Sequence, residues 1–349
     1  MADNPVRSGT AHHVTRRSML AGAVAGAAFP AVATTAASVP TATAGTVPRT
    51  SGTARAGGTT HQVTIYAEAL PNGLYGYGLA PGEATVPGPI LEMIEGDTME
   101  ITLVNTTDQR LSIHPHGVDY DVHSDGSPLN ASATEAGQTR TYVWHTREKA
   151  PSTGRMWLPG SAGYWHYHDH ALGSDHGTDG IAKGLYGALI VRRKGDVLPD
   201  RQFTVVFNDM TINNLTAPDT PIFDCRLGER VEFIAIGHGN MEHTFHLHAH
   251  RWADNRTGML EGPNDPSPAV DNKDLNPGSS FGFQVLAGEG VGPGAWMYHC
   301  HVQFHSDPMS GIFLVRNEDG TIPDHAQEAI DYFHGHHHGG HDEHEGHGG

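Results

Sequence analysis

Four groups of histidines carry the chemistry that this chain could perform: His114-Pro115-His116, His168-Asp169-His170, His243-Thr244-Phe245-His246-Leu247-His248, and His299-Cys300-His301 followed by His305. In an extended strand, residues i and i+2 point to the same side. A His-x-His pair therefore offers two imidazoles to one metal or to two neighbouring metals. Neutral imidazole suits copper, zinc, iron and nickel, whereas a thiolate selects softer ions. One Cys with two more distant His is the trigonal blue-copper set, with a Met supplying a weak axial bond. Cys300, His243, His305 and Met309 fit those roles. His299 and His301 flank the Cys and face the other way, so further metal is expected on the far side of the same strand. The remaining paired histidines are His114, His116, His168, His170, His246, His248, His299 and His301. Eight imidazoles exceed what one metal takes and suit a three-metal cluster. A single His-x-His pair is more often a surface pair or a zinc ligand. The four groups together are what point to copper.

The elements that must position these residues read as strands. In Thr98-Met99-Glu100-Ile101-Thr102-Leu103 apolar residues take every second place, and Arg230-Val231-Glu232-Phe233 repeats the pattern, as half-buried strands require. Gly and Pro interrupt at short intervals, as in Pro71-Asn72-Gly73 and Val86-Pro87-Gly88-Pro89. The class expected is all-β, an antiparallel sandwich architecture with no long helical periodicity. The body also repeats itself. Gly96 precedes His114 and His116 by 18 and 20 residues, and Gly228 precedes His246 and His248 by the same distances. Gly163 to His170 matches Gly294 to His301 at an offset of 131, pairing Trp165 with Trp296 and Tyr167 with Tyr298. Two copies of one domain are expected, 59–196 and 197–322. At the positions of Cys300, His243 and His305 the first copy has Asp169, Leu111 and Ser174. It keeps both His-x-His pairs but has no blue-copper set, so the cluster is expected at a domain interface.

The chain has 349 residues and a formal net charge of −18, which argues against a nucleic-acid partner, since phosphates need a basic face. Its two cysteines, Cys225 and Cys300, do not make a disulfide scaffold; Cys225 reads as a small buried hydrophobe. Residues 1–58 read as an export signal and a disordered lead. Twin Arg16-Arg17 precedes an Ala/Gly-rich apolar run and the small residues Ala31-Val32-Ala33, a layout resembling a Tat signal and implying a secreted protein. Beyond Thr60 no segment is long and apolar enough to cross a bilayer. Residues 323–349 read as a His-rich tail. Its last part, from His334, holds seven His among Gly, Asp and Glu, and is expected not to pack a core.

The four histidine motifs resemble the copper signatures of the multicopper oxidases and look most like the bacterial two-domain small laccases, from about residue 60 to 320. The resemblance implies two cupredoxin-like Greek-key β-sandwich domains and four coppers per chain. His114 and His246 would hold the type 2 copper, and His116, His168, His170, His248, His299 and His301 the type 3 pair. Cys300, His243 and His305 would hold the type 1 copper. It also implies a homotrimer whose clusters join domain one of one subunit to domain two of the next. Met309 departs from the family pattern, standing four rather than five places after His305. Asp125 resembles an acidic residue that follows the first motif, Tyr120 a tyrosine beside the cluster, and Asp271 is a further carboxylate candidate for delivering the protons that O2 reduction consumes. Each also reads as an ordinary turn or core residue.

The activity expected is one-electron oxidation of phenolic or similar aromatic donors coupled to four-electron reduction of O2 to water. A cuprous-ion oxidase serving copper tolerance is the second enzymatic reading, although no methionine-rich segment is evident. A copper-binding or storage module is the reading from another class. Nitrite reduction would need a type 1 site in the first copy, where Leu111 and Asp169 stand.

Overall fold

The structure is a computed structural model that describes residues 56–151 and 156–338. The twin-arginine segment and residues 339–349 of the histidine-rich tail lie outside the described residues.

Four β-sheets stack as two sandwiches. The first is built from β1 (Thr60–Ala69), β2 (Tyr75–Gly78), β3 (Leu91–Ile94), β4 (Thr98–Asn105), β5 (His114–Pro115), β6 (Thr139–His145), β7 (Gly163–His168) and β8 (Tyr186–Arg192). These pair in the orders β2-β1-β4-β6 and β3-β8-β7-β5. The second uses β9 (Arg201–Asn208), β10 (Thr211–Ile212), β11 (Ile222–Arg226), β12 (Arg230–His238), β13 (His243–Leu247), β14 (Asn272–Leu275), β15 (Ser280–Leu286), β16 (Gly294–Cys300) and β17 (Ser310–Arg316). Its orders are β10-β9-β12-β15 and β11-β17-β16-β13-β14. The strand that opens each sandwich and the alternating strand after it pair in the same way, β1 beside β4 and β9 beside β12.

Those two pairs run parallel, as do β3 with β8 and β11 with β17. The sheets are therefore mixed, where alternation alone had suggested an antiparallel sandwich. The reason is topological: strands joined by a tight turn must be antiparallel, but a strand reached by crossing between sheets has no such constraint.

Each sandwich encloses its own core. Ile65, Ile101, Leu111, Tyr142 and Trp144 fill the first, and Phe203, Phe233, Phe245, Phe283 and Phe313 the second. A third apolar cluster joins them, with Tyr164, Tyr186, Ala188 and Ile190 on β7 and β8 packed against Val206, Ile234 and Ile236 on β9 and β12. This contact corrects the reading of Arg230–Phe233 as half-buried. β4 does alternate between buried and partly exposed residues, but β12 is buried on both faces from Val231 onward because the first sandwich covers its outer side.

The second correction concerns the C-terminus. Residues 324–338 form a helix, α2 (Asp324–His338), after a five-residue helix α1 (Thr178–Ala182) in the first sandwich. Ala326, Ile330 and Phe333 lie on one face of α2 and are buried against Ile312 and Leu314 of β17. The tail thus packs through residues that precede His334, and none of residues 334–336 is buried. Among the described residues no helix is long and apolar enough to cross a membrane.

Candidate metal centres

The cluster histidines come from matching strands of the two sandwiches. β5 pairs with β7 so that His114 stands opposite His168, and β13 pairs with β16 so that His246 stands opposite His299. In each case a cross-strand pair and its i+2 neighbours converge on one face. Gly117 allows the turn after His116: it has φ +77°, and a Cβ there would meet the Trp165 ring at 2.0 Å.

In the first sandwich, His116 Nε2 lies 3.0 Å from His168 Nε2, and the His170 ring centroid is 4.8 Å from that of His114. In the second, His248 Nε2 lies 3.2 Å from His299 Nε2, and the His301 ring is 5.3 Å from those of His246 and His299. Four of these rings have their Nδ1 committed to a backbone carbonyl. His114 donates to Asp125 at 2.5 Å, His168 to Asp169 at 2.6 Å, His246 to Asp271 at 2.7 Å and His299 to Cys300 at 2.8 Å. A carbonyl can only accept, so each Nδ1 carries the proton and each Nε2 presents a lone pair. That is how metal-ligating imidazoles are oriented. Burial lowers the pKa of His114, His168, His248 and His299, and it brings His116 down to about 4, with the neighbouring His114 and His170 adding to the shift. Neutral rings are the form that binds metal. The donor set fits copper.

The second type of site lies on the other side of β16. Cys300 Sγ is 3.5 Å from His243 Nδ1 and 3.7 Å from His305 Nδ1, and those two nitrogens are 3.2 Å apart. The circle through the three atoms has a radius of about 2.0 Å, the length of ordinary metal–nitrogen bonds and slightly short for metal–sulfur. Cys300 and Met309 are fully buried and His243 is 1% exposed. Burial raises the Cys300 thiol pKa, so a bound cation is what would make it a thiolate. Met309 is tied to the site through its backbone: its N–H donates to His305 and its carbonyl accepts from Cys300.

Among the described residues, the first sandwich has no comparable set. Leu111 is a core residue, and the fully buried Asp169 accepts from the backbone N–H groups of Ser112, Ala171 and Leu172 at 2.7, 3.1 and 2.7 Å.

Of the three helper candidates, two face the first half-cluster. The Tyr120 ring packs edge-on against His114 at 5.7 Å. Asp125 brings a carboxylate oxygen within 3.6 Å of His114 Nδ1. Burial pushes the Asp125 pKa up, but hydrogen bonds from Ser127 and Asn130 outweigh it and hold the carboxyl below its usual value. Asp271 touches His246 mainly through its carbonyl; its side chain is 56% exposed, with Oδ1 4.0 Å from Nδ1.

Two residues outside the motif pattern also reach the first half-cluster. His166 stacks on His116 at 4.0 Å, and His238 of β12 meets the rings of His166 and His168 at 5.0 and 5.6 Å. His166 lies two residues before His168 on β7, so the sequence itself places it beside the motif. His238 is a lone histidine at a strand end, and only the packing of the two sandwiches brings it there. His176 packs against His170 at 5.5 Å, and His250 Nδ1 bonds the His248 carbonyl at 2.9 Å. Cys225 is buried in β11.

Comparison with known proteins agrees with this chemistry. Residues 82–196 and 191–319 match two family models, each described as multicopper oxidase. A "Probable nitrite reductase-hydroxylamine oxidoreductase fusion protein" of Kuenenia stuttgartiensis is 33% identical over 268 residues, which cover 69% of this chain and 29% of that protein. Copper resistance protein A of Escherichia coli is 29% identical over 132 residues, or 37% of this chain and 19% of that protein. Laccase 1 of Metarhizium acridum (strain CQMa 102) is 32% identical over 134 residues, or 38% and 19%. The matches thus span less than a third of the length of these relatives. Among solved structures, a multicopper oxidase superposes with TM-score 0.55 at 24% identity, covering 80% of this chain and 97% of that one. A blue copper oxidase from Nitrosomonas europaea superposes with TM-score 0.53 at 22% identity, covering 78% and 94%. These likenesses give the cupredoxin-like fold, and with both family matches and the ligand sets described above they show that the chain belongs to the multicopper oxidase family.

Proposed function

We propose that the protein is a laccase-type oxidase, taking single electrons from phenolic or similar aromatic donors at Cys300, His243 and His305 and delivering them to O2 at a three-copper cluster. The observation that carries this is β16 itself. Cys300 faces the core of its sandwich and bonds through one peptide unit to His299, which faces outward into the second half-cluster. Bound copper would supply the one-electron redox steps and the site of O2 reduction. The protein's own residues do the rest. His305 is partly exposed whereas His243 is buried, so the donor approaches at His305, beside Phe304, which is 91% exposed. Asp125, held as a carboxylate next to His114, and Tyr120 on the same ring are the groups proposed to serve proton and electron delivery at the cluster, with Asp271 beside His246. Leu111 and Asp169 leave the first sandwich without a thiolate site, which disfavours nitrite reduction.

The layering supports a cluster shared between chains. The first half-cluster lies on the face of β7 that turns toward β12 and β15. The second lies on the outer face of β16, beyond both sheets of the second sandwich, and packed sheets stand about 10 Å apart. Among the described residues no ring contact joins the two sets, and they form separate donor groups. Four coppers per chain therefore need a second copy, and a heterologous contact that closes in a ring gives the proposed homotrimer. Sedimentation of the copper-loaded protein tests this; a monomer carrying four coppers would refute it. Export through a twin-arginine signal is proposed from the sequence and is tested by N-terminal sequencing of protein recovered outside the cell.

The function is tested by colour and oxygen uptake. The copper form should be blue and consume O2 with a phenol, and Cys300→Ser should lose both properties. A blue Cys300→Ser protein would overturn the assignment. Faster O2 uptake with Cu+ than with a phenol would favour the cuprous-ion reading, and copper bound without O2 uptake the storage reading.

A further inference from the structure

Next to the second half-cluster the fold forms a cavity whose lining, apart from His299, the proposed oxidase chemistry does not use. Its volume is about 640 Å³, and it lies between α2 and the outer face of β16. His299 forms part of its wall, and the other polar and sulfur groups facing it include Met297, Asp307, Tyr332 and His336. Met297 occupies the position that His166 holds in the first sandwich, but it is 38% exposed where His166 is 1%. His336 is exposed, and its ring stacks on Tyr332 with centroids 5.3 Å apart and planes 12° apart. α2 is held in place by buried Ala326, Ile330 and Phe333, so His336 is carried on an anchored element. The sequence beyond His336 continues with His337, His338, His341, His344 and His347, spaced by Gly, Asp and Glu.

A thioether, an imidazole and a carboxylate facing one cavity are a graded set of donors. Thioether sulfur is a soft donor that suits Cu+ better than the harder divalent ions. Among the described residues the close sets of His, Cys, Asp and Glu are the three already assigned, and Asp307 and His336 belong to none of them. This suits a place that an ion passes through better than one where it stays. The inner wall ends on His299, whose Nε2 faces His248.

Resting on the copper chemistry proposed above, we propose that this cavity is a receiving site for cuprous ion: Met297, His336 and Asp307 accept Cu+ and hand it to His299 and the half-cluster behind it. The step is ligand exchange, with no change in oxidation state; each donor releases the ion as the next one binds it.

The experiment follows copper uptake by the full chain expressed without copper. Under anaerobic conditions Cu+ is presented as its bicinchoninate complex, and the loss of that complex's absorbance gives the rate. Met297→Leu and His336→Ala both alter exposed side chains. Each is expected to slow uptake about tenfold, the lower end of what removing one supporting group does to metal affinity. The final copper content and the O2 uptake of the loaded protein should equal those of the parent. With Cu2+ as the source, Met297→Leu should load at the parental rate, because thioether has little preference for that ion. Uptake of Cu+ at the parental rate in both variants would overturn the proposal. Slowing by Met297→Leu that is equal for Cu+ and Cu2+ would also overturn it, since that would mark a general packing effect. A parent that takes up no copper would instead refute the underlying copper reading.

Discussion

Glu232 offers the sharpest test of how the two sandwiches are held together. It is fully buried on β12, at the contact with the first sandwich, and its carboxylate accepts five hydrogen bonds. Arg192 donates twice, at 2.9 and 2.7 Å, Gln202 and Gln284 at 2.9 Å each, and Tyr164 at 2.6 Å. Glu232→Gln keeps the volume but removes the charge, and either orientation of the amide turns its NH2 toward at least two of these donors. Breaking a buried pair by removing one partner costs about 3–5 kcal/mol. Arg192 keeps a contact to Glu92 at 3.1 Å, so the lower end, ~3 kcal/mol, is expected. With a urea m-value of roughly 3 kcal/mol/M for a fold of this size, the unfolding midpoint should fall by about 1 M. Arg192→Met alone should cost a similar amount, and the double variant should be less destabilised than the sum by at least ~2 kcal/mol, because the second change no longer strands a charge. The pair also has a pH signature. Burial pushes the Glu232 pKa up, but the Arg192 guanidinium and the hydrogen bonds outweigh it and leave a net value below the usual 4.5. A depressed carboxyl stabilises fully above its unfolded-state pKa, and that contribution disappears as pH falls through the folded-state value. The parent should therefore lose stability relative to Glu232→Gln below about pH 4.5. Additive effects in the double variant, or a loss under ~1 kcal/mol for Glu232→Gln, would refute the reasoning.

Met309→Leu should retain the blue absorption but raise the reduction potential of that site, measured by redox titration, because the axial ligand tunes it; an unchanged potential would show that Met309 is not axial. Asp125→Ala frees the Ser127 and Asn130 donors that brace the turn orienting His114, and should lower type 2 copper occupancy in the resonance spectrum while leaving type 1 full. Ile330→Ala removes an apolar anchor of α2 and should cost about 2 kcal/mol, read as faster hydrogen exchange confined to residues 324–338.

What the sequence made legible follows from how each feature is encoded. The metal motifs are local: His-x-His on a strand fixes two ligands at once, and the offset of 131 between the copies exposes the pairing of motifs. α2 was hidden by composition. Its apolar residues Ala326, Ile330 and Phe333 keep helical spacing, but Gly and His around them resemble a solvated tail. Glu232 occupies the polar phase of an alternating strand, which normally faces water; only a second sheet laid over β12 makes it interior. His238 reaches His166 for the same reason. Such features depend on the contact between sandwiches, and no local pattern records that contact.

Asp169 has a consequence for what the first copy could be made to do. Its buried carboxylate satisfies three backbone N–H groups in the place where the other copy carries Cys300. Placing a cysteine there would leave those donors without an acceptor, and position 111 would still hold Leu, a fully buried side chain where the other copy has an imidazole. No single substitution restores the site, and the first step back is unfavourable by itself. The carboxylate therefore acts as a lock: with it in place, no single change gives the first copy the Cys and His set of the second.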